Sequence, residues 1–95
     1  MNLEQLKEKK ENILKIAANY GAYNIRVFGS VARGEASQDS DIDFLVDMEE
    51  GRTLLDHTGL WLALEEFLGC EVDVATVGWL KDRVRDTVLK EAVIL

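Results

Sequence analysis

Two short stretches hold the residues best placed to do chemistry. Gly29-Ser30 closes the apolar run Val27-Phe28, and ten residues later Asp41-Ile42-Asp43 opens a second apolar run. A third acid, Asp73, lies among Val72, Val74 and Ala75. In a strand, Asp41 and Asp43 share one face and stand about 6.5 Å apart. At that spacing two carboxylates repel by about 2.5 kcal/mol if the effective dielectric is near 20. A cation between them, or a raised pKa, relieves the strain. If the strand carrying Asp73 lies beside the second run, three carboxylates converge. An oxygen-only donor set suits Mg²⁺ or Mn²⁺; a zinc site would want a cysteine set or more than one histidine. The chain has one cysteine and one histidine.

The Gly-Ser turn supplies the other half of such a site. Glycine lets the backbone approach a phosphate, Ser30 adds a hydroxyl donor, and successive N–H groups at a helix start favour anions. Paired divalent ions activate an attacking hydroxyl and stabilise in-line phosphoryl transfer. Arg33 suits either of two roles: charge for a polyphosphate, or an anchor of the loop to Asp39 or Asp41. Each piece alone is commonplace; their order and spacing together point to a metal-nucleotide site. His57, in the first turns of an expected helix, reads as a packed or exposed helix residue rather than a general base. Tyr20 and Tyr23 read as packing residues, and Cys70 as a small buried apolar one.

The bulk properties narrow the class. Ninety-five residues, 47% hydrophobic and 31% charged, suit one soluble domain, 1–95. No apolar run reaches membrane-span length, and charges interrupt the N-terminal segment where a secretory signal would need an apolar core. A lone cysteine suits a reducing, cytoplasmic setting. The net charge of −7 argues against binding a polynucleotide, but not against one nucleotide held through a metal. From Glu35 to Glu50 there are seven carboxylates and no basic residue. A solvated acidic face is the usual meaning of such a run.

The elements that must position these residues follow from periodicity. Leu3, Leu6, Ile13, Leu14, Ala17 and Tyr20 predict a helix over 3–20, with Asn2 at its start and Gly21 as a left-handed end. Residues 24–28 and 41–46 predict two antiparallel strands, separated by about one helical turn after Gly29 and a polar stretch to Ser40. Residues 48–52 read as a loop. Thr53 and Asp56 predict a capping box for a helix over 53–68 ended by Gly69, with Leu54, Leu55, Trp61, Leu62, Leu64, Phe67 and Leu68 on a broad apolar face. Residues 71–77 predict a third strand, with Glu71, Asp73 and Ala75 opposite Val72 and Val74. Residues 79–91 predict a last helix with Leu80, Val84, Val88 and Leu89 inward. The order is α-β-turn-β-α-β-α, an α+β fold with a small mixed sheet and helices packed on it.

Gly29-Ser30, ten residues, Asp41-x-Asp43 and a later Asp73 resemble the DNA polymerase β-type nucleotidyltransferase superfamily. Gly29-Ser30-Val31-Ala32-Arg33-Gly34 and Ser40-Asp41-Ile42-Asp43 are similar to its minimal nucleotidyltransferase group, and the resemblance spans nearly the whole chain. It implies a nucleotidyltransferase fold with Mg²⁺, as two ions, on Asp41, Asp43 and Asp73, and the triphosphate on Gly29-Ser30; Mn²⁺ is the natural substitute. It also implies an antitoxin that transfers AMP from ATP to a tyrosine hydroxyl of a HEPN ribonuclease toxin.

Two other functions share these residues. One is a non-catalytic module that neutralises a toxin by occlusion. The other is nucleotidyl transfer to a small-molecule alcohol, which normally calls for an added substrate-binding domain. The acidic surface favours a basic protein partner over a nucleic acid. Leu60, Trp61, Trp79 and the apolar tail 92–95 suit either a core or the interface of a homo- or hetero-oligomer.

Overall fold

A computed structural model describes residues 1–37 and 40–95. The elements are α1 (Leu3–Glu8), α2 (Lys10–Asn19), β1 (Ala22–Phe28), α3 (Gly29–Ala32), β2 (Ile42–Met48), α4 (Leu54–Leu68), β3 (Val72–Thr76), a 3₁₀ turn (Val77–Trp79), α5 (Asp82–Glu91) and β4 (Val93–Ile94). The strands form one mixed sheet in the order β3-β2-β1-β4. β1 runs antiparallel to both β2 and β4, and β2 runs parallel to β3. The α+β architecture expected from the sequence is thus the observed one.

The core lies on one face of this sheet. Ile25 and Val27, Ile42, Phe44 and Val46, and Val72 meet Leu6, Ile13 and Ala17 from α1 and α2, and Leu60, Leu64 and Leu68 from α4. Strand alternation sends these apolar side chains inward and leaves Asp43 and Asp73 on the opposite face. Leu45, on that second face, is also fully buried. Its register partners are Arg26 on β1 and Ala75 on β3. Arg26 is in turn ion-paired to Asp47 at 2.8 Å.

Local signals set most element ends. Asn2 and Gln5 form a capping box for α1, and Thr53 and Asp56 form one for α4. Gly69 closes α4 in the left-handed conformation at φ 69°. Gly21, at φ 76°, follows α2 in the same conformation, as expected. β1 carries an irregularity between Tyr23 and Arg26. Within it, Asn24 has φ 51° and its amide donates to Asp47.

Several expectations need correction. The helix over 3–20 is broken at Lys9, which takes φ −99° and ψ 8° and donates its N–H to the Leu6 carbonyl. The second strand runs to Met48, and Asp41 lies one residue ahead of it. The third strand is shorter than 71–77, because Val77 opens the 3₁₀ turn, and the last helix starts at Asp82 instead of Trp79. On α4 the inward residues are Leu60, Leu64 and Leu68, whereas Leu54, Leu55, Trp61, Leu62 and Phe67 are exposed. Val84 and Leu89 are exposed too, since α5 sits at the rim and buries none of its residues. The apolar tail forms β4 on the open edge of β1. Leu95 is buried there, while Trp79 and Ile94 remain exposed.

This division of α4 is testable by chemical denaturation. Leu60→Ala, which empties a fully buried site on α4, is expected to cost about 2–5 kcal/mol. Leu55→Ala, at 84% exposure, should change stability by less than about 0.5 kcal/mol. Comparable losses in the two variants would contradict the assignment.

Candidate active site

The β2–β3 ladder brings two of the predicted acids together. Asp43 and Asp73 are register partners across the parallel pair, so they share a face on strands about 4.8 Å apart. On the other side of β2, Phe28 is the register partner of Asp43. The chain leaves β1 at Phe28 and turns at once into α3, which puts Gly29 directly beneath the Asp43 carboxylate. A methyl group at Gly29 would stand 2.2 Å from Asp43 Oδ2, and Gly29 itself has φ 71°. Both the space and the backbone angle therefore require glycine here. Ser30 follows in the first turn of α3, half-buried beside it.

Asp41 is exposed at the mouth of β2. It and Asp73 are close enough to act on Asp43, whose carboxyl is pushed above the usual range. Loss of water around it is the largest cause, followed by the charges of Asp73 and Asp41; Arg33 pulls the other way and Glu91 adds to the rise. Glu71, just ahead of β3, is raised as well, chiefly by its hydrogen-bond contact with Asp41 and by that residue's charge. The result is a concentration of negative charge at one end of the sheet, opposite the core.

This donor set has the chemistry a divalent ion requires: carboxylate oxygens from two adjacent strands, with like charges that a cation would relieve. Among the described residues, no three His, Cys, Asp or Glu side chains already close on a common ion position. Asp43 and Asp73 thus share a face, with Asp41 just ahead of the strand, and the three do not form a finished cage.

Only one of the two expected anchors of Arg33, Asp41, lies among the described residues. Asp39 lies outside the described residues, and Arg33 makes no ion pair with Asp41. Its Nε instead donates to Glu35 at 2.9 Å and its Nη1 to Glu91 at the end of α5. Sequence reading missed Glu91 because the two residues are 58 apart in the chain and no local pattern links them. His57 is a packing residue, as expected. Its Nε2 is 2.7 Å from the Val74 carbonyl and its ring leans on Trp79 at 5.1 Å. Cys70 is partly buried against the core, which raises its thiol pKa.

The electrostatics give a pH-dependent prediction. A carboxyl whose folded pKa exceeds its unfolded one costs stability when ionised; the cost is absent below the unfolded pKa, about 3.9 for Asp, and complete above the folded one. Without divalent cations, Asp43→Asn is expected to melt at a higher temperature than wild type at pH 7. The advantage should shrink as pH falls toward the ordinary aspartate range. An Asp43→Asn variant that melts below wild type at pH 7 would contradict the strain.

Comparison with known proteins fits this geometry. Residues 5–95 match the nucleotidyltransferase domain family. The chain is 43% identical over 93 residues to a Methanocaldococcus jannaschii protein provisionally named a protein adenylyltransferase, covering 98% of this chain and 97% of that one. It is 43% identical over 91 residues to the protein adenylyltransferase MntA of Thermococcus cleftensis, covering 90% and 92% respectively. A solved structure provisionally named a minimal nucleotidyltransferase superposes with a TM-score of 0.89 at 55% identity, covering 100% of this chain and 97% of that one. A toxin–antitoxin crystal structure with AMP-PNP matches with a TM-score of 0.77 at 21% identity, over 88% of this chain and 69% of that chain, a likeness of fold. The chain belongs to the nucleotidyltransferase domain family.

Proposed function

We propose that this protein is a Mg²⁺-dependent adenylyltransferase that moves AMP from ATP to a tyrosine hydroxyl of a partner HEPN ribonuclease toxin, and so acts as the antitoxin of that pair in the cytoplasm. One observation carries the reading: Asp43 and Asp73 stand in register on adjacent strands, directly above Gly29. The relatives named as protein adenylyltransferases support transfer of AMP to protein. The likeness to toxin–antitoxin structures fits the antitoxin role.

Asp41, Asp43 and Asp73 are the residues that would hold Mg²⁺, as two ions, with Mn²⁺ as a substitute. Bound there, the ions would supply the positive charge that phosphoryl transfer needs at the attacking and leaving oxygens. The chain's own residues do the positioning. Gly29 leaves the backbone bare where the triphosphate must come close, and Ser30 offers a hydroxyl donor beside it. Arg33, braced by Glu35 and Glu91, keeps a positive charge at the edge of the turn. The acceptor hydroxyl oxygen gives up its proton to solvent as it bonds to the α-phosphorus, the bond from that phosphorus to the oxygen bridging to the β-phosphorus breaks, and pyrophosphate leaves with that oxygen. Net charge −7 suits a basic protein acceptor better than a nucleic acid.

A second reading has its own observation. Leu54, Leu55, Trp61 and Leu62 leave an apolar stripe on α4 uncovered, which would serve neutralisation by occlusion. The two readings part in one experiment. The chain, its toxin partner and Mg²⁺-ATP are incubated together, and the partner's intact mass and ribonuclease activity are followed. Transfer predicts an adenylate on a partner tyrosine, with the Asp41→Asn/Asp43→Asn double variant at least about a hundredfold slower and unable to silence the toxin. A double variant that still silences it without an adduct would overturn transfer in favour of occlusion.

A further inference from the structure

The turn at Gly29 is held from both of the strands that flank β1. On one side Phe28 pairs with Asp43 of β2. On the other, β4 pairs Val93 with Val27 and Ile94 with Arg26, and the Leu95 N–H donates to the Ile25 carbonyl at 3.1 Å. Leu95 is buried, which pins that strand in place. This antiparallel register brings Glu91, the last residue of α5, alongside the end of β1, where the chain turns at Gly29. The backbone of Glu91 is therefore fixed by the sheet, and its half-buried carboxylate accepts from Arg33 Nη1.

Arg33 belongs to the turn itself. Its N–H donates to the Gly29 carbonyl at 3.1 Å, and the Glu35 N–H closes on the Ser30 carbonyl at 2.9 Å. The exposed guanidinium carries five N–H donors, with Nε on Glu35 and Nη1 on Glu91. Nη2 meets no acceptor among the described residues. A single exposed ion pair does little to hold a long side chain. Glu35 moves with the turn, whereas Glu91 comes from another element and gives the guanidinium a fixed reference. A guanidinium so held offers its remaining donors as a fork, the geometry that suits phosphate oxygens. Resting on the reading of Gly29-Ser30 as the triphosphate turn, we infer that Glu91 is a positioning residue for the nucleotide. Anchored by β4, it holds Arg33 so that the Nη2 donors meet the triphosphate.

Calorimetric titration of the full chain with Mg²⁺-ATP tests this, with the melting temperature of each variant as a check on folding. Glu91→Gln is expected to weaken ATP binding about tenfold, and Glu91→Asp, which keeps the charge, to recover part of that loss. Charge alone predicts the opposite sign, because Glu91→Gln removes a negative charge beside the triphosphate. Arg33→Ala should weaken binding at least as much, and adding Glu91→Gln to it should cost nothing further, since Glu91 acts only through Arg33. Asp82→Asn removes the same charge from the other end of α5 and should bind ATP as wild type does. If Glu91→Gln binds ATP as tightly as wild type or tighter, even while melting lower, the contact merely secures α5 and the inference fails. An equal loss from Glu91→Gln with and without Arg33, or from Asp82→Asn, would also overturn it. Those results leave the nucleotide site standing. Wild type that binds no Mg²⁺-ATP would overturn the site and the role of Glu91 together.

Discussion

Two carboxylates side by side on neighbouring strands set the terms for the rest of the molecule. Asp43 is half-buried with Asp73 across the ladder and Asp41 two residues earlier in the chain, just ahead of the strand. That arrangement is unfavourable in an isolated domain, because burial and like charge both act against the ionised form. It persists because the opposite faces of the same strands are fixed in the core. Ile42, Phe44 and Val46 alternate with Asp43 and Leu45, and all four apolar residues from Ile42 to Val46 are fully buried, with Asp43 the exception in the run. A one-residue slip in β2 would drive Asp43 into that core. Register is therefore held by hydrophobic burial, and the acids are held by register.

The turn after β1 depends on the same constraint. Phe28 pairs with Asp43, so the residue after it must pass under the carboxylate, and a side chain there has no room. Glycine at position 29 thus answers a packing demand and leaves bare backbone next to the acids. A phosphate and a metal ion need those two features side by side. The Arg33–Glu91 contact ties this turn to the end of α5, and Ala92 then leads directly into β4 on the edge of β1.

Much of this was legible in the sequence, for identifiable reasons. Period-two alternation gave the faces of Asp43 and Asp73, and the caps at Asn2, Thr53 and Gly69 are local chemistry that the fold leaves intact. What escaped has physical causes. α4 is apolar on nearly every side, so periodicity could not say that Leu60, Leu64 and Leu68 face the sheet while Leu54, Leu55 and Leu62 face water. Lys9 breaks the first helix with neither glycine nor proline to mark it. β4 is two residues long and exists because β1 has an open edge. Leu45 is fully buried with Arg26 of β1 and Ala75 of β3 as its register partners, and Arg33 pairs with Glu91 far away in the chain. Such contacts are set by tertiary packing rather than by neighbours in sequence.

The central claim is that the acid-rich end of the sheet binds a nucleotide through a divalent cation. Isothermal titration calorimetry of the purified chain with ATP, in Mg²⁺ and again in excess EDTA, tests it most directly. The account predicts binding with Mg²⁺, none in EDTA, and none for the Asp41→Asn/Asp43→Asn double variant under either condition. ATP binding of equal strength with and without the metal would contradict it, as would undiminished binding by the double variant.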